Sequence, residues 1–315
     1  MQLNERAQRL VGRLVQRAEE LRIAASRLPG GTNLVDCGVS LVGGLEAGVE
    51  LAEICLAGLG RVRLESGPAD VWHGPWISVY TDHPALACLA AQYAGWPLSH
   101  GKFFAMGSGP MRAARGREPV FEALGYRESP AHAVGVLETR KLPPNELCEQ
   151  MAHECGVPAA ELTLLVAPTA SLAGTLQVVA RSVETCLHKL HELGGPLDQV
   201  VSGWGRAPLP PVAKDDLAAI GRTNDAILYG AEVLLWVRGS DETWESLGPK
   251  IPSSSSADHG RLFAELFAHY GHDFYKIDKL LFSPAAVTLC NVDSGTTRRY
   301  GKLAPELVQA SFGLG

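Results

Sequence analysis

The chain has 315 residues, 46% hydrophobic and 20% charged, with 28 Lys and Arg against 34 Asp and Glu for a net charge of −6. That length exceeds the size at which one core stops growing, so two domains are expected, in the composition range of a soluble globular protein. The negative balance argues against nucleic acid or anionic membrane as the main partner. No stretch reaches the ~18 apolar residues of a membrane span, and the charged opening Met1-Gln2-Leu3-Asn4-Glu5-Arg6 is unlike a secretory leader, so a cytoplasmic protein is expected.

Apolar residues at helical spacing (Leu3, Ala7, Leu10, Val11, Leu14, Val15, Ala18, Leu21) predict an opening amphipathic helix, ended by Pro29-Gly30-Gly31. Strands are predicted near 33–37, 61–65, 76–80 and 133–138, with helices over 46–56 and 85–94. Pro143-Pro144 marks the expected boundary between domains 1–143 and 144–315. Beyond it the pattern predicts a helix (146–155), a strand (161–167), a helix (177–193), a Gly/Pro-rich connection (203–211) and a helix turning into a strand (226–237). The four serines 253–256 read as the cap of a helix over 257–270. A hairpin turning at Asp293-Ser294-Gly295 closes the chain, with the option of packing back on the first domain. Strands alternating with helices predict an α/β fold of two α/β domains. Seven scattered cysteines with no CxxC pair read as reduced thiols.

Arg181 and Glu184 are three apart on the helix after the 161–167 strand, a spacing that puts both on one face. A carboxylate beside a guanidinium fits a general base with a tuned charge state, or equally an ion pair. Gly107-Ser108-Gly109-Pro110, followed by Arg112, Arg115 and Arg117, offers close backbone approach and anion-pairing groups, or a tight turn with solvated arginines. Gly221-Arg222-Thr223-Asn224-Asp225 offers hydrogen bonds to a polar heterocycle, or a helix N-cap. His188 and His191 with Cys186, and His269 with His272, do not form HExxH, and no metal is expected. On residues alone the reading is a soluble α/β protein with a carboxylate base.

Nine stretches in order resemble the methenyltetrahydromethanopterin cyclohydrolase family: Val35-Asp36-Cys37-Gly38, Thr81-Asp82-His83-Pro84, Ala94-Gly95-Trp96, Phe104 to Pro110, Val166 to Ser171, Arg181 with Val183-Glu184-Thr185, Gly221 to Ala226, Pro252 to Ser256, and Asp273-Phe274-Tyr275-Lys276-Ile277-Asp278. The resemblance implies a cleft between the two domains, a homotrimer, and no metal or cofactor, the tetrahydromethanopterin derivative being substrate. It implies water addition to a methenyl carbon and opening to the N5-formyl carrier, with Glu184 as base and Arg181 keeping it ionised. Gly107, Ser108, Gly109, Pro110, Thr169, Ser171, Asn224, Asp225 and Tyr93 are then the expected contacts to the pterin carrier. Archaeal members of the family carry an active-site lysine just before Ala-Gly-Trp. This chain departs with Tyr93, and Lys102 is the nearby substitute. Two other readings stand beside it: a metal-dependent hydrolase using His188, His191 and Cys186, and a non-catalytic pterin or C1-carrier binding protein that has no need of Glu184.

Overall fold

In the computed structural model all residues are described except 272, 274, 275 and 315, so His272, Phe274 and Tyr275 of the sequence motifs lie outside the described residues. The strands are β1 (Ala24–Arg27), β2 (Asn33–Asp36), β3 (Gly60–Glu65), β4 (Trp76–Thr81), β5 (Trp96–His100), β6 (Phe103–Ser108), β7 (Ala133–Glu138), β8 (Leu162–Ala167), β9 (Val200–Pro208), β10 (Glu232–Val237), β11 (Ala286–Asn291) and β12 (Thr297–Gly301). They form two six-stranded mixed sheets, β1-β2-β8-β7-β6-β5 and β12-β11-β10-β9-β4-β3. The α/β expectation holds. The chain forms two compact units, Met1–Gly60 with Leu86–Gln177, and Arg61–Ala85 with Val178–Gly315, and passes between them three times.

This division differs from the cut expected at 143/144. β7 and β8, on either side of Pro143-Pro144, are adjacent parallel strands of one sheet. The prolines therefore stand in a strand-to-helix loop rather than in a linker. The closing hairpin β11–β12 belongs to the second sheet, with β11 parallel to β10.

In the first unit β8 runs parallel to both β2 and β7, and all six of its residues are buried. A strand covered on both faces needs a continuous apolar run, as Leu162-Thr163-Leu164-Leu165-Val166-Ala167 provides. One face packs Leu34, Leu137, Leu164 and Val166 against Leu147 and Met151 of the helix Asn145–Cys155. The opposite face packs Val35, Val136 and Leu165 against the helices Leu3–Gln16 and Leu45–Cys55. The segment 85–94 is helical as expected, but Ala85–Gln92 is a π-helix, closed by Tyr93 N–H donating to Cys88 O at 2.8 Å.

In the second unit burial alternates along β10: Val233, Leu235 and Val237 are buried, whereas Glu232 and Leu234 are half-buried and Trp236 is exposed. One face is thus covered and the other carries Tyr80, Trp204 and Trp236. The predicted Gly/Pro connection 203–211 is instead mostly the strand β9, hydrogen-bonded between β4 and β10. The predicted helix 177–193 is two helices, Leu172–Val179 and Ser182–Glu192, parted by a turn at Ala180 and Arg181.

Candidate functional site

Arg181 is the N-cap residue of the helix Ser182–Glu192, and Glu184 lies in its first turn. The positive end of the helix dipole favours an anion there, so the position itself supports a carboxylate. Both side chains are buried, at 6% and 5% exposure. The backbone of Arg181 is pinned from within: its carbonyl accepts from Thr185 N and Thr185 Oγ1, each at 2.8 Å. The helix rests on the centre of the sheet, where Val183 meets Gly203 and Ser182 meets Gly205.

Further along the same helix Lys189 is fully buried. Its Nζ donates to Ser255 Oγ at 3.0 Å and to Leu280 O. Burial lowers its pKa to about 8, against the opposing pull of Asp278. Asp278 accepts from Ser256 Oγ at 2.6 Å and from Leu280 N at 3.0 Å. The serine run therefore does not cap a helix at 257. It forms a short 3₁₀ turn, Ser253–Ser255, that holds the far end of the Glu184 helix, and the next α-helix begins at Phe263. Sequence reading passed over Lys189, since one lysine at helical spacing carries no signal of burial.

At the carboxyl ends of β2 and β8 in the first unit, two loops meet. Asp36 accepts three backbone N–H groups, from Gly38 (2.9 Å), Val39 (2.6 Å) and Ser40 (2.8 Å). A Cβ on Gly38 would stand 2.8 Å from Ser171 Oγ, so glycine lets the loops touch. Ser171 Oγ donates to Pro168 O (2.8 Å) and accepts from Gly174 N (3.0 Å), and Thr169 O accepts from Thr175 Oγ1 (2.8 Å). Ligands of parallel α/β sheets commonly bind at this edge. Asp36 was quoted only within a motif, yet its turn shapes the loop beside Ser171.

The other predicted loop runs away from that edge. Gly107 pairs with Leu137 and Ser108 with Val136, and Gly109, at φ +90°, lies against Gly135 and Val136. Gly107, Ser108, Gly109 and Pro110 are all buried. Ser108 Oγ donates to Val136 O at 3.4 Å, and Pro110 O accepts from Asn4 Nδ2 at 2.9 Å.

Of the arginines that follow, Arg112 turns inward, Arg115 is half-buried and Arg117 is exposed. Arg112 is fully buried, donates to Leu89 O (3.0 Å) and Ala91 O (3.3 Å) at the end of the π-helix, and pairs with Glu118. Arg115 and Arg117 both pair with Glu154. Tyr93, at the departure from the family pattern, lies under the Arg112 guanidinium, 4.8 Å from ring centroid to Cζ. Lys102 is exposed at the tip of the β5–β6 hairpin, whereas Tyr93 precedes the far end of β5. A strand of that length spans ~16 Å, so Lys102 does not take the place of the missing lysine.

Asn224 and Asp225 sit within the helix Asp216–Gly230, not at its start. The N-cap is Asp215, which accepts from Ala218 N at 2.8 Å. Asn224 Nδ2 donates back to Ile220 O at 2.8 Å. Asp225 is buried and both oxygens are used: Oδ1 accepts from Phe263 N (2.8 Å) and Oδ2 from Ser311 Oγ (2.6 Å). Burial raises its pKa to about 7. Asp225 thereby caps the helix Phe263–His269 from another helix.

Among the described residues no three of His, Cys, Asp and Glu converge as metal ligands do, and no helix is long and apolar enough to cross a membrane. Cys186 is fully buried, and burial pushes its thiol up to about 12. Arg181 and Glu184, the pair expected to be catalytic, belong to the second unit, whereas Tyr93, Gly107, Ser108, Gly109, Pro110, Thr169 and Ser171 belong to the first.

Known proteins match the whole length. The chain is 50% identical over 312 residues to the methenyltetrahydromethanopterin cyclohydrolase of Methylobacillus flagellatus, covering 99% of this chain and 95% of the relative. It is 50% identical over 289 residues to the protein of that name from Rhodopirellula baltica, covering 90% and 87%. The protein of that name from Methanospirillum hungatei is 41% identical over 312 residues, covering 99% and 98%. The family model described as Cyclohydrolase (MCH) matches residues 2–312, and the chain belongs to that family.

Proposed function

We propose that the chain is a hydrolase that interconverts N5,N10-methenyl-tetrahydromethanopterin and N5-formyl-tetrahydromethanopterin. The observation that carries this reading is a family match over the whole chain in which Arg181 and Glu184 are buried together at the start of one helix. The methenyl carbon shares a positive charge with two nitrogens. The Glu184 carboxylate takes a proton from water as its oxygen bonds to that carbon. The C–N10 bond then breaks, Glu184 returns its proton to N10, and the hydroxyl proton leaves as the formyl C=O forms. One proton is released overall. Arg181, with the helix N-terminus, favours the ionised carboxylate that must both attract the cation and accept the proton.

Among the expected carrier contacts, the side chains of Ser108, Ser171 and Asp225 are engaged inside the fold. Direct contacts fall to Thr169 and to Asn224 through Oδ1, whereas the buried backbone at 107–110 is engaged by Leu137, Val136, Ala91 and Asn4. The proposed enzyme uses no metal or cofactor, acts in the cytoplasm and assembles as a homotrimer. Decay of methenyl-carrier absorbance with chelator-treated protein tests the reaction, and sedimentation tests the assembly. Rapid decay supports the reading; carrier binding without decay turns it into a binding protein.

A further inference from the structure

We infer that Gly203 and Gly205 of β9 are positioning residues for Glu184: two missing side chains set how deeply the first turn of the Ser182–Glu192 helix sinks onto the sheet. The inference rests on Glu184 being the base. A Cβ on Gly205 would stand 2.5 Å from Ser182 Oγ and 3.0 Å from Val183 Cγ2, and one on Gly203 would stand 2.8 Å from Val183 Cγ1. The same sheet face carries Val79 and Thr81 of β4 on one side, and Val233 and Leu235 of β10 on the other. The glycines thus open a groove one strand wide between walls of full side chains.

β9 has no room to recoil, because β4 and β10 hold it by ladders on both edges. A methyl added at Gly205 would also stand 3.1 Å from Val233 Cγ2 on β10, so most of the displacement falls on Ser182, Val183 and the helix start. Ser182 and Val183 fill the groove and are fully buried, and Arg181 and Glu184 are their immediate neighbours in the chain. No hydrogen bond holds Ser182 Oγ among the described residues, so packing alone sets its depth. The pairing of a buried, unsatisfied hydroxyl with a glycine is costly for stability, and is understandable if the depth of the helix start matters.

The test compares Gly205→Ala, Ser182→Ala and the double variant for kcat and KM on the methenyl carrier, with circular dichroism and melting curves as controls. Displacing a reacting group by ~1 Å costs ~10²-fold in rate, so Gly205→Ala is expected to lose about that in kcat with little change in KM. Ser182→Ala removes the hydroxyl that the new methyl strikes, and the double variant is expected to recover most of the loss. A folded Gly205→Ala protein with wild-type kcat overturns the inference, as does a loss that Ser182→Ala leaves unrepaired. If Gly205→Ala does not fold, Gly203→Ala is measured against the milder contact with Val183, and a wild-type kcat there overturns the inference equally. An inactive wild type removes the proposed function and this inference together, whereas an active wild type beside an unaffected variant removes this inference alone.

Discussion

Two regions of the molecule hold a buried arginine a few residues from a glutamate. In the first unit Arg112 reaches inward to Glu118 and to two carbonyls at the exit of the π-helix, with Tyr93 and Phe121 against its guanidinium. Its donors hold separate elements together. In the second unit Arg181 and Glu184 share one helix start, laid on two glycines in the centre of a sheet. The first arrangement closes a gap in the architecture. The second places a carboxylate at a helix start, where the proposed reaction needs a base. Residue type and burial are alike in both, so what separates a clasp from a site is which elements the charges join.

Substitutions sharpen that contrast. The largest effect is expected from Glu184→Gln, which should lose ~10²–10⁴-fold in turnover while its melting temperature stays near wild type. Absorbance decay and a thermal melt check it, and full activity would place the base elsewhere. Arg112→Met should do the converse: it leaves the Glu118 carboxylate without its partner and costs about 3–5 kcal/mol in denaturant unfolding. Activity per folded molecule should persist.

A third buried acid lies between these extremes. Asp225 has no arginine and is raised to about 7 by burial. Its folded form holds a proton that the unfolded chain, near 4, has already released. Stability therefore falls as pH rises from about 4 to about 7. Asp225→Asn cannot ionise and should lack that component of the slope when unfolding is followed across this window. Parallel curves for variant and wild type would break the assignment. The smallest effect is expected from Arg17→Ala. Its pairs with Glu20 and Glu50 lie at the surface, and the melting temperature should be unchanged within error.

β2, β7 and β8 of the first sheet were legible, β7 and β8 as apolar runs that mean the same thing alone as in the fold, whereas β1, β5 and β6 were not predicted. Nor was β9. Gly203, Gly205 and Pro208 read locally as a connection, and only the helix lying on them gives the glycines a purpose. The break at Ala180 and Arg181 carries no glycine or proline, so tertiary packing overrode an unbroken helical pattern. The helix at Phe263 was drawn too early for a similar reason: its cap, Asp225, comes from 38 residues upstream. At the candidate site, the common helix face of Arg181 and Glu184 was visible from spacing, and their burial was not. The inward turn of Arg112, Ser108 and Asp225 was not, because a polar residue near glycine looks the same whether it faces a ligand or a neighbouring carbonyl.

The chain's three passages between its units have a consequence for how it is made. β2 takes β8 as its parallel neighbour, with Asn33 opposite Thr163, so β2 must wait for well over a hundred further residues to leave the ribosome. A sheet completed from such distant pieces is expected to form slowly. Neither unit exists as one uninterrupted stretch. A cut at the two prolines would part β7 from β8, and a gene fragment encoding either half would yield a sheet lacking strands that only the other half supplies.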